Sequence, residues 1–166
     1  YFSMAMEETR YYLNGVYLST TESGQLCGAA TDGHRLAQVQ IPIPAGAENM
    51  PGVIISRKTV NQIRKLVEES AEEIEVSLSD KQINFTFGNG RLTSRLIEGK
   101  YPDYERVIPT NNDKSFEVVA PQLNEAVDRA ALFANDKEQI IKLSLSPGLL
   151  EVKSFTSGTG SADEEL

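Results

Sequence analysis

The sequence is poor in the residues that most often mark metal sites and disulfide frameworks. It has one cysteine, one histidine and no tryptophan in 166 residues. Cys27 alone cannot form an intramolecular disulfide, which is typical of a protein of the reducing cytoplasm. Cys27 and His34 stand at no recognisable zinc-ligand spacing. The sequence therefore predicts no metal site and no cofactor.

Long apolar runs are also missing. No stretch approaches the ~18 apolar residues that a membrane helix requires. The chain opens with no basic segment followed by an apolar one, so no secretory signal is predicted. A cytoplasmic location is the resulting expectation.

Basic charge is scarce overall but concentrated in the middle of the chain. The net charge is −8, yet residues 53–109 carry nine bases and nine acids, against two and five in residues 1–52. Residues 110–166 carry five bases and ten acids. Because local patches decide what a surface attracts, the total charge does not exclude a nucleic-acid partner.

A predicted helix over residues 57–69 carries part of this basic charge. Ser56 is a suitable N-cap. At 100° per residue one side is apolar, with Val60, Ile63, Leu66 and Val67, and the opposite side is basic, with Arg57, Lys58, Arg64 and Lys65. Such a face fits sequence-independent phosphate contacts, and it also fits an ordinary solvated surface.

Turn signals and β-rich segments predict an α+β fold built from a repeated module. A strand, a helix and a hairpin recur, separated by the polar stretch 109–115. The first copy has strands at 53–55, 74–79, 82–87 and 91–97 around the helix 57–69. The second has strands at 116–119, 140–146 and 149–155 around a helix from Pro121 to about Ala134. Two earlier segments, 9–19 and 25–41, are also predicted to be extended.

The chain end does not fit the repeat. Residues 156–166 are small and acidic, so the second copy is expected to stop before its last strand. The chain also opens at Tyr1 without an initiator Met, and it is interpreted as a fragment. The predicted domains are residues 1–108 and 116–166, with 109–115 as the linker.

The segment around Asp32 and Gly33 is the most informative motif. Asp-Gly between extended stretches is a strong hairpin signal. The turn residues Thr31, Gly33, His34, Arg35 and Leu36, with Pro102, Arg106 and Val107, form a candidate pocket that has apolar walls and arginines at its rim. The alternative is a small hydrolase or transferase that uses Asp32, His34 and Arg106, although no nucleophile stands at a motif spacing.

Leu132, on the predicted second helix, points away from its apolar side. Leu132 lies beside Asp128, whereas Phe133 and Ala134 fall on the predicted core side. An outward leucine is either ordinary exposure or an interface anchor. Tyr11 and Tyr12, next to Arg10, place aromatic and cationic groups together near the chain start.

Several segments together resemble the bacterial beta sliding clamp family. They are Phe2-Ser3-Met4-Ala5, Arg10 to Gly15, Ala30 to Ala37 (ATDGHRLA), Arg57-Lys58, Gly99 to Val107 (with YPDYERV) and Arg129-Ala130-Ala131. The resemblance implies a DNA-clamp fold, with helices lining a curved antiparallel sheet. It also implies a head-to-tail homodimeric ring of six similar domains around duplex DNA. This chain would hold the central domain without its first helix and the first half of the C-terminal domain.

The resemblance also assigns roles to residues. It implies a peptide pocket at Leu13, Thr31, Gly33, His34, Arg35, Leu36, Pro102, Arg106 and Val107. It implies DNA-facing residues at Arg10, Tyr11, Tyr12, Arg57, Lys58, Arg64 and Lys65, and a dimer contact at Leu132 and Phe133. The partners would be duplex DNA and the polymerase, clamp-loader and repair proteins, whose short motifs contain glutamine and leucine. No catalytic residue is implied, because such a clamp is a processivity factor and not an enzyme. The family's pocket has a second wall from a C-terminal tail beyond Leu166.

Overall fold

The chain divides into two compact units, Tyr1–Ile108 and Pro109–Leu166. The structure, a computed structural model, describes residues 8–68, 73–134, 140–156 and 160–166. None of the described helices is long and apolar enough to cross a membrane. Each unit is an antiparallel sheet with one α-helix packed on it, which confirms the predicted α+β class.

The first unit is built on a seven-stranded sheet. It runs through a 3₁₀ helix at Tyr11–Leu13, β1 (Gly15–Thr20), β2 (Gln25–Thr31), β3 (Leu36–Pro42), β4 (Val53–Ser56), α1 (Arg57–Glu68), β5 (Glu75–Leu78), β6 (Gln82–Phe87), β7 (Gly90–Ile97) and a second 3₁₀ helix at Tyr104–Val107. The strand order is β3-β2-β1-β4-β7-β6-β5, and β4 joins the two halves by pairing with both β1 and β7.

The second unit repeats part of this plan. It contains α2 (Ala120–Ala131), β8 (Lys142–Ser146), β9 (Leu149–Thr156) and β10 (Gly160–Glu165). The strands lie in the order β10-β9-β8, which matches β7-β6-β5 of the first unit. The hairpin repeat read from the sequence is therefore present in both units.

Helix α1 begins where its sequence signals predict. The Ser56 hydroxyl oxygen accepts a hydrogen bond from the Thr59 backbone N–H at 3.2 Å, so Ser56 is the N-cap. Val60 and Ile63 pack on a core cluster that includes Ile83 and Phe85. The apolar side of α1 is thus the side that faces the sheet. Val67 is an exception, being 39% exposed near the helix end.

The fully buried residues of helix α2 are small, and Leu123 and Val127 pack beside them. Ala126 and Ala130 are fully buried in a cluster with Leu150 and Val152. The helix ends at Ala131 instead of the predicted Ala134. The next three backbone N–H groups donate to carbonyls three residues back, which tightens the chain into turns.

Three sequence predictions of strands are wrong. The first strand does not start at residue 9, because Leu13 and Asn14 donate backbone hydrogen bonds to Arg10 and Tyr11 and close a 3₁₀ turn. The strand begins only at Gly15, where a Cβ would collide with the carbonyl of Ile55 on β4. Residues 116–119 form no strand in the described chain, and residues 109–119 contain neither helix nor strand.

The third error concerns the end of the chain. The second copy was expected to stop before its last strand, yet β10 pairs with β9 from Gly160 opposite Thr156 to Glu165 opposite Glu151. Ala162 and Leu166 pack against the core of the second unit. The acidic, small residues 160–165 are therefore a strand whose stability comes from its pairing partner.

Candidate functional site

The hairpin turn, residues 31–36, is organised by the carboxylate of Asp32. Asp32 Oδ1 accepts backbone N–H groups of His34 and Arg35, both at 3.0 Å. Its Oδ2 accepts the Arg35 Nε–H at 2.8 Å. The side chain of Asp32 thus replaces missing backbone partners in the turn, as Asx turns do.

Thr31 completes the hairpin turn from the strand side. Its hydroxyl donates to the Arg35 carbonyl at 2.8 Å and accepts the Gly33 backbone N–H at 3.0 Å. Gly33 has φ +89, a conformation that favours glycine, and an added Cβ would lie 3.1 Å from Nη1 of Arg10. The guanidinium of Arg10 therefore lies beside this turn.

The tyrosine loop, residues 101–107, is anchored by Tyr101 and Tyr104. Both are buried in the core cluster that contains Leu13, and Leu36 packs against the same cluster. The Tyr101 hydroxyl oxygen accepts the Thr31 backbone N–H at 3.1 Å, which brings the tyrosine loop to the hairpin turn. Burial raises the pKa of Tyr101, and the bond from Thr31 partly opposes that shift.

Tyr104 anchors the middle of the tyrosine loop through Cys27. The Tyr104 hydroxyl lies 3.3 Å from the Cys27 sulfur, which Gln38 approaches at 3.4 Å through its Nε2. Burial is the main cause that raises the pKa of Tyr104, and its hydrogen bond with Cys27 raises the pKa further. Both tyrosines remain neutral hydrogen-bonding groups at neutral pH. They were not identified from the sequence, although the spacing of three in YPDY was a usable signal.

The exposed part of the site is shallow. Pro102 and Arg106 line a depression of about 330 Å³ together with Tyr12, Lys100, Tyr101 and Asp103. Val107 is 70% exposed, and Leu13 is only 3% exposed. Leu13 therefore belongs to the floor beneath the site, while Pro102, Arg106 and Val107 offer surface. His34 and Arg35 are exposed on the hairpin turn.

The arrangement does not favour the hydrolase alternative. The described hydrogen bonds of Asp32 reach backbone amides and Arg35, and the bond to His34 is to its backbone N–H. Arg106 pairs with Asp103 at 2.6 Å. Among the described residues, no three His, Cys, Asp or Glu side chains gather as metal ligands. These contacts stabilise a turn and a loop and prepare no base or nucleophile.

The basic face of α1 is exposed as predicted. Arg57, Lys58, Arg64 and Lys65 all lie at the surface, and the first turn of the helix has no acidic residue. Elsewhere in the unit, Tyr11 is 52% exposed and contacts Tyr12 edge-to-face at 5.9 Å. Tyr12 also lines the depression beside Pro102, so the two tyrosines differ in their surroundings.

The end of α2 exposes apolar side chains. Leu132 is 80% exposed, in agreement with its predicted outward direction. Phe133 was predicted on the core side but is 44% exposed, because the helix has already ended. An exposed leucine and phenylalanine side by side are suited to an interface.

Solved structures share this architecture over nearly the whole chain. A crystal structure of a sliding clamp (DNA polymerase III subunit beta) from Bartonella birtlesii, bound to griselimycin, matches with a TM-score of 0.91 and 41% identity. The match covers 99% of this chain and 45% of that one. The fold and the motifs of its site therefore define a protein of the DNA-clamp class.

Sequence comparisons identify the family within that class. The model of the DNA polymerase III beta subunit, central domain, matches residues 1–103, and that of its C-terminal domain matches residues 105–166. The chain belongs to the DNA polymerase III beta subunit family. Beta sliding clamps of Caulobacter vibrioides and Pseudomonas aeruginosa are 41% and 38% identical over 99% of the chain. The chain spans 45% of the length of each of these relatives.

Proposed function

We propose that the chain is part of a sliding clamp, a processivity factor of the replicative DNA polymerase. The observation that carries the proposal is that two consecutive domain models of one family cover residues 1–103 and 105–166. Such a clamp performs no reaction. It holds the polymerase on duplex DNA as a cytoplasmic, ring-shaped homodimer. Residues 1–108 would supply the central domain, 109–115 the linker and 116–166 the first half of the C-terminal domain.

The partner-binding part of the proposal rests on the hairpin turn and the tyrosine loop. The nine pocket residues named from the resemblance divide into a buried floor, Leu13, and surface groups around Leu36, Pro102, Arg106 and Val107. Apolar side chains beside guanidinium groups suit a short peptide that offers a leucine side chain and a polar amide. Polymerase, clamp-loader and repair proteins would all dock here through such peptides.

The DNA part rests on α1 and the tyrosines near the chain start. Arg57, Lys58, Arg64 and Lys65 present cations on one exposed helix face, a geometry suited to phosphate contacts without base recognition. Arg10, Tyr11 and Tyr12 would add contacts from the chain start. Leu132 and Phe133 would lie in the dimer interface of the complete ring.

A peptide titration tests the pocket. A short acetylated peptide with one glutamine and one leucine in an alanine background should shift amide resonances of residues 31–36 and 102–107. The dissociation constant should be on the order of 0.1–1 mM, because one buried leucine must offset the ordering of a flexible peptide. Val107→Ala should weaken binding.

The control for that variant is Val39→Ala. Val39 is also exposed but lies on the outer strand β3. The same peptide with its leucine replaced by alanine should not bind. Shifts confined to residues remote from the two segments would refute this placement of the pocket.

Salt dependence tests the DNA surface. Three or four phosphate contacts predict a log–log slope of binding against salt of about −3. Lys58→Ala should reduce the slope by about one. Lys142→Ala, an exposed change on β8, is the matched control and should leave it unchanged. Affinity that is indifferent to salt, or strong preference for one DNA sequence, would overturn this surface.

A further inference from the structure

Thr31, the last residue of strand β2, pairs with Leu36 of β3 on one side but has no partner from β1 on the other. Neighbouring β1 pairs with β2 from Tyr17 opposite Ala29 to Thr20 opposite Leu26. The Thr31 backbone N–H instead donates to the phenol oxygen of Tyr101 at 3.1 Å. A side chain from the tyrosine loop therefore takes the place of a backbone acceptor at the base of the turn.

The ring that carries this oxygen is itself held in place. Tyr101 stacks on Tyr17 of β1 with ring centroids 4.9 Å apart and planes inclined by 3°. Tyr104 contacts both rings edge-on, at 6.3 Å from Tyr101 and 6.5 Å from Tyr17. A buried ring fixed from two sides presents its hydroxyl at one position, so the oxygen is a precise anchor.

Thr31 connects the hydroxyl of Tyr101 to the rest of the hairpin turn. Its backbone is bound by Tyr101, while its own hydroxyl binds Gly33 and Arg35. The next residue after Tyr101 is Pro102, which lines the exposed depression with Arg106. One chain of contacts thus links the two segments that form the candidate pocket.

We infer that Tyr101 is a positioning residue, whose hydroxyl sets the distance between the hairpin turn and the tyrosine loop and thereby shapes the peptide pocket. This inference rests on the proposed function for its ligand and on the described contacts for its geometry. Tyr101 is only 6% exposed and borders the depression from below. It acts through Thr31 on one side and through Pro102 on the other.

Two conservative variants of the stacked pair test this role. Tyr101→Phe keeps the ring and removes the acceptor of the Thr31 N–H. Tyr17→Phe removes the hydroxyl of the other stacked ring and leaves that acceptor in place. Both are made in the 166-residue chain, and their thermal unfolding is compared with wild type to confirm the fold.

The first readout needs no peptide. In Tyr101→Phe the Thr31 amide should exchange with solvent about tenfold faster, because it has lost its acceptor. Its proton resonance should move upfield, and Gly33 should shift with it. Tyr17→Phe should leave both amides unchanged. Unaltered Thr31 exchange in Tyr101→Phe, or equal changes in the two variants, would overturn the inference.

The second readout is affinity for the glutamine- and leucine-containing peptide. Tyr101→Phe should weaken it about fivefold, within the range of one neutral hydrogen bond, and Tyr17→Phe should not. Faster exchange with undiminished affinity would overturn the inference and leave the proposed pocket standing. A wild-type chain that binds no peptide, while Tyr101→Phe still loosens Thr31 and Gly33, would refute the proposed pocket and support the coupling of the two segments.

Discussion

The two helices of this chain bury different residues against their sheets. Helix α1 lays large side chains, Val60 and Ile63, over a core that includes Ile83. Helix α2 fully buries two alanines, Ala126 and Ala130, and packs Leu123 and Val127 against the same cluster. The strand order beneath the helices is the same, β7-β6-β5 and β10-β9-β8.

Polar contacts differ between the helices as well. Helix α1 has a side-chain N-cap in Ser56, whereas Val119 at the start of α2 makes no side-chain cap bond. Helix α2 is tied to its sheet by Arg129, whose guanidinium donates two hydrogen bonds to the Glu164 carboxylate at 2.8 and 2.9 Å. The Ser154 hydroxyl also donates to the Ala130 carbonyl at 2.6 Å.

The comparison of the two helices shows that the same sheet topology tolerates different helix packing and different outward-facing residues. Either packing solution satisfies the same topology, so the outward residues are free to vary between the copies. In α1 the outward face carries four cations, and at the end of α2 it carries Leu132. We therefore attribute the distinct proposed roles, DNA contact and subunit contact, to surfaces and not to architecture.

The largest expected effect is a cavity under α1. Ile83→Ala removes a fully buried side chain from the core of the first unit. The free energy of unfolding should fall by about 2–5 kcal/mol. Urea titration followed by NMR intensities of residues 53–97 measures the loss. Val76→Ala on the neighbouring strand β5, where the side chain is exposed, should stay within about 0.5 kcal/mol.

Overpacking should be the corresponding weakness of α2. Ala130→Leu forces a larger side chain into a fully buried position and should destabilise the second unit by about 1–3 kcal/mol. Ala131→Leu, one residue later and exposed, is the matched control and should change stability by less than about 0.5 kcal/mol. Equal effects of the two changes would refute the close packing of α2 on its sheet at Ala130.

Loss of the N-cap should destabilise α1, and a new N-cap side chain should stabilise α2. Ser56→Ala should cost about 1 kcal/mol, because the Thr59 N–H loses its acceptor. Val119→Ser should stabilise α2 by about 0.5–1 kcal/mol, since Val119 is exposed and has the extended backbone of an N-cap residue. Urea titration of both variants measures the two changes. A loss of stability in Val119→Ser would contradict the comparison.

The smallest expected effect concerns acid. The hydrogen bonds from Arg129 hold the pKa of Glu164 below its ordinary value. Stabilisation from this pair is therefore complete above the ordinary glutamate pKa and is lost as pH falls through the lowered one. Carbon-detected NMR titration of the Glu164 carboxyl should show the lowered value. Glu164→Gln should flatten the acid dependence of the melting temperature, and Glu165→Gln on the same strand should not.

Local signals in the sequence predicted the parts of the fold that are stabilised locally. The periodicity of residues 57–68 and the cap at Ser56 define α1 without reference to the rest of the chain. Asp32-Gly33 likewise predicts the hairpin turn. By contrast, β10 has small and acidic residues, and it becomes a strand only through pairing with β9. The tyrosine-rich start of the chain was predicted to be a strand from its β propensity, but residues 11–13 form a local 3₁₀ turn.

The candidate site shows the same limit. The exposed residues of the hairpin turn and the tyrosine loop were found as motifs, but their juxtaposition depends on a bond between Tyr101 and Thr31, seventy positions apart. The role of Asp32 as a turn cap was missed because the sequence alone also allowed it to orient His34. The pocket, DNA and dimer assignments stay predictions.

The buried thiol of Cys27, beneath the tyrosine loop, is a natural probe of local opening in this chain. Cys27 is the sole cysteine and is fully buried beside Tyr104. A thiol reagent can reach it only when the surrounding strand or loop opens, so the labelling rate under native conditions reports the frequency of that opening. No engineered probe is required. A bound peptide that reduces opening of the tyrosine loop would lower the labelling rate of Cys27. The labelling rate would then measure how much of the pocket is occupied by peptide.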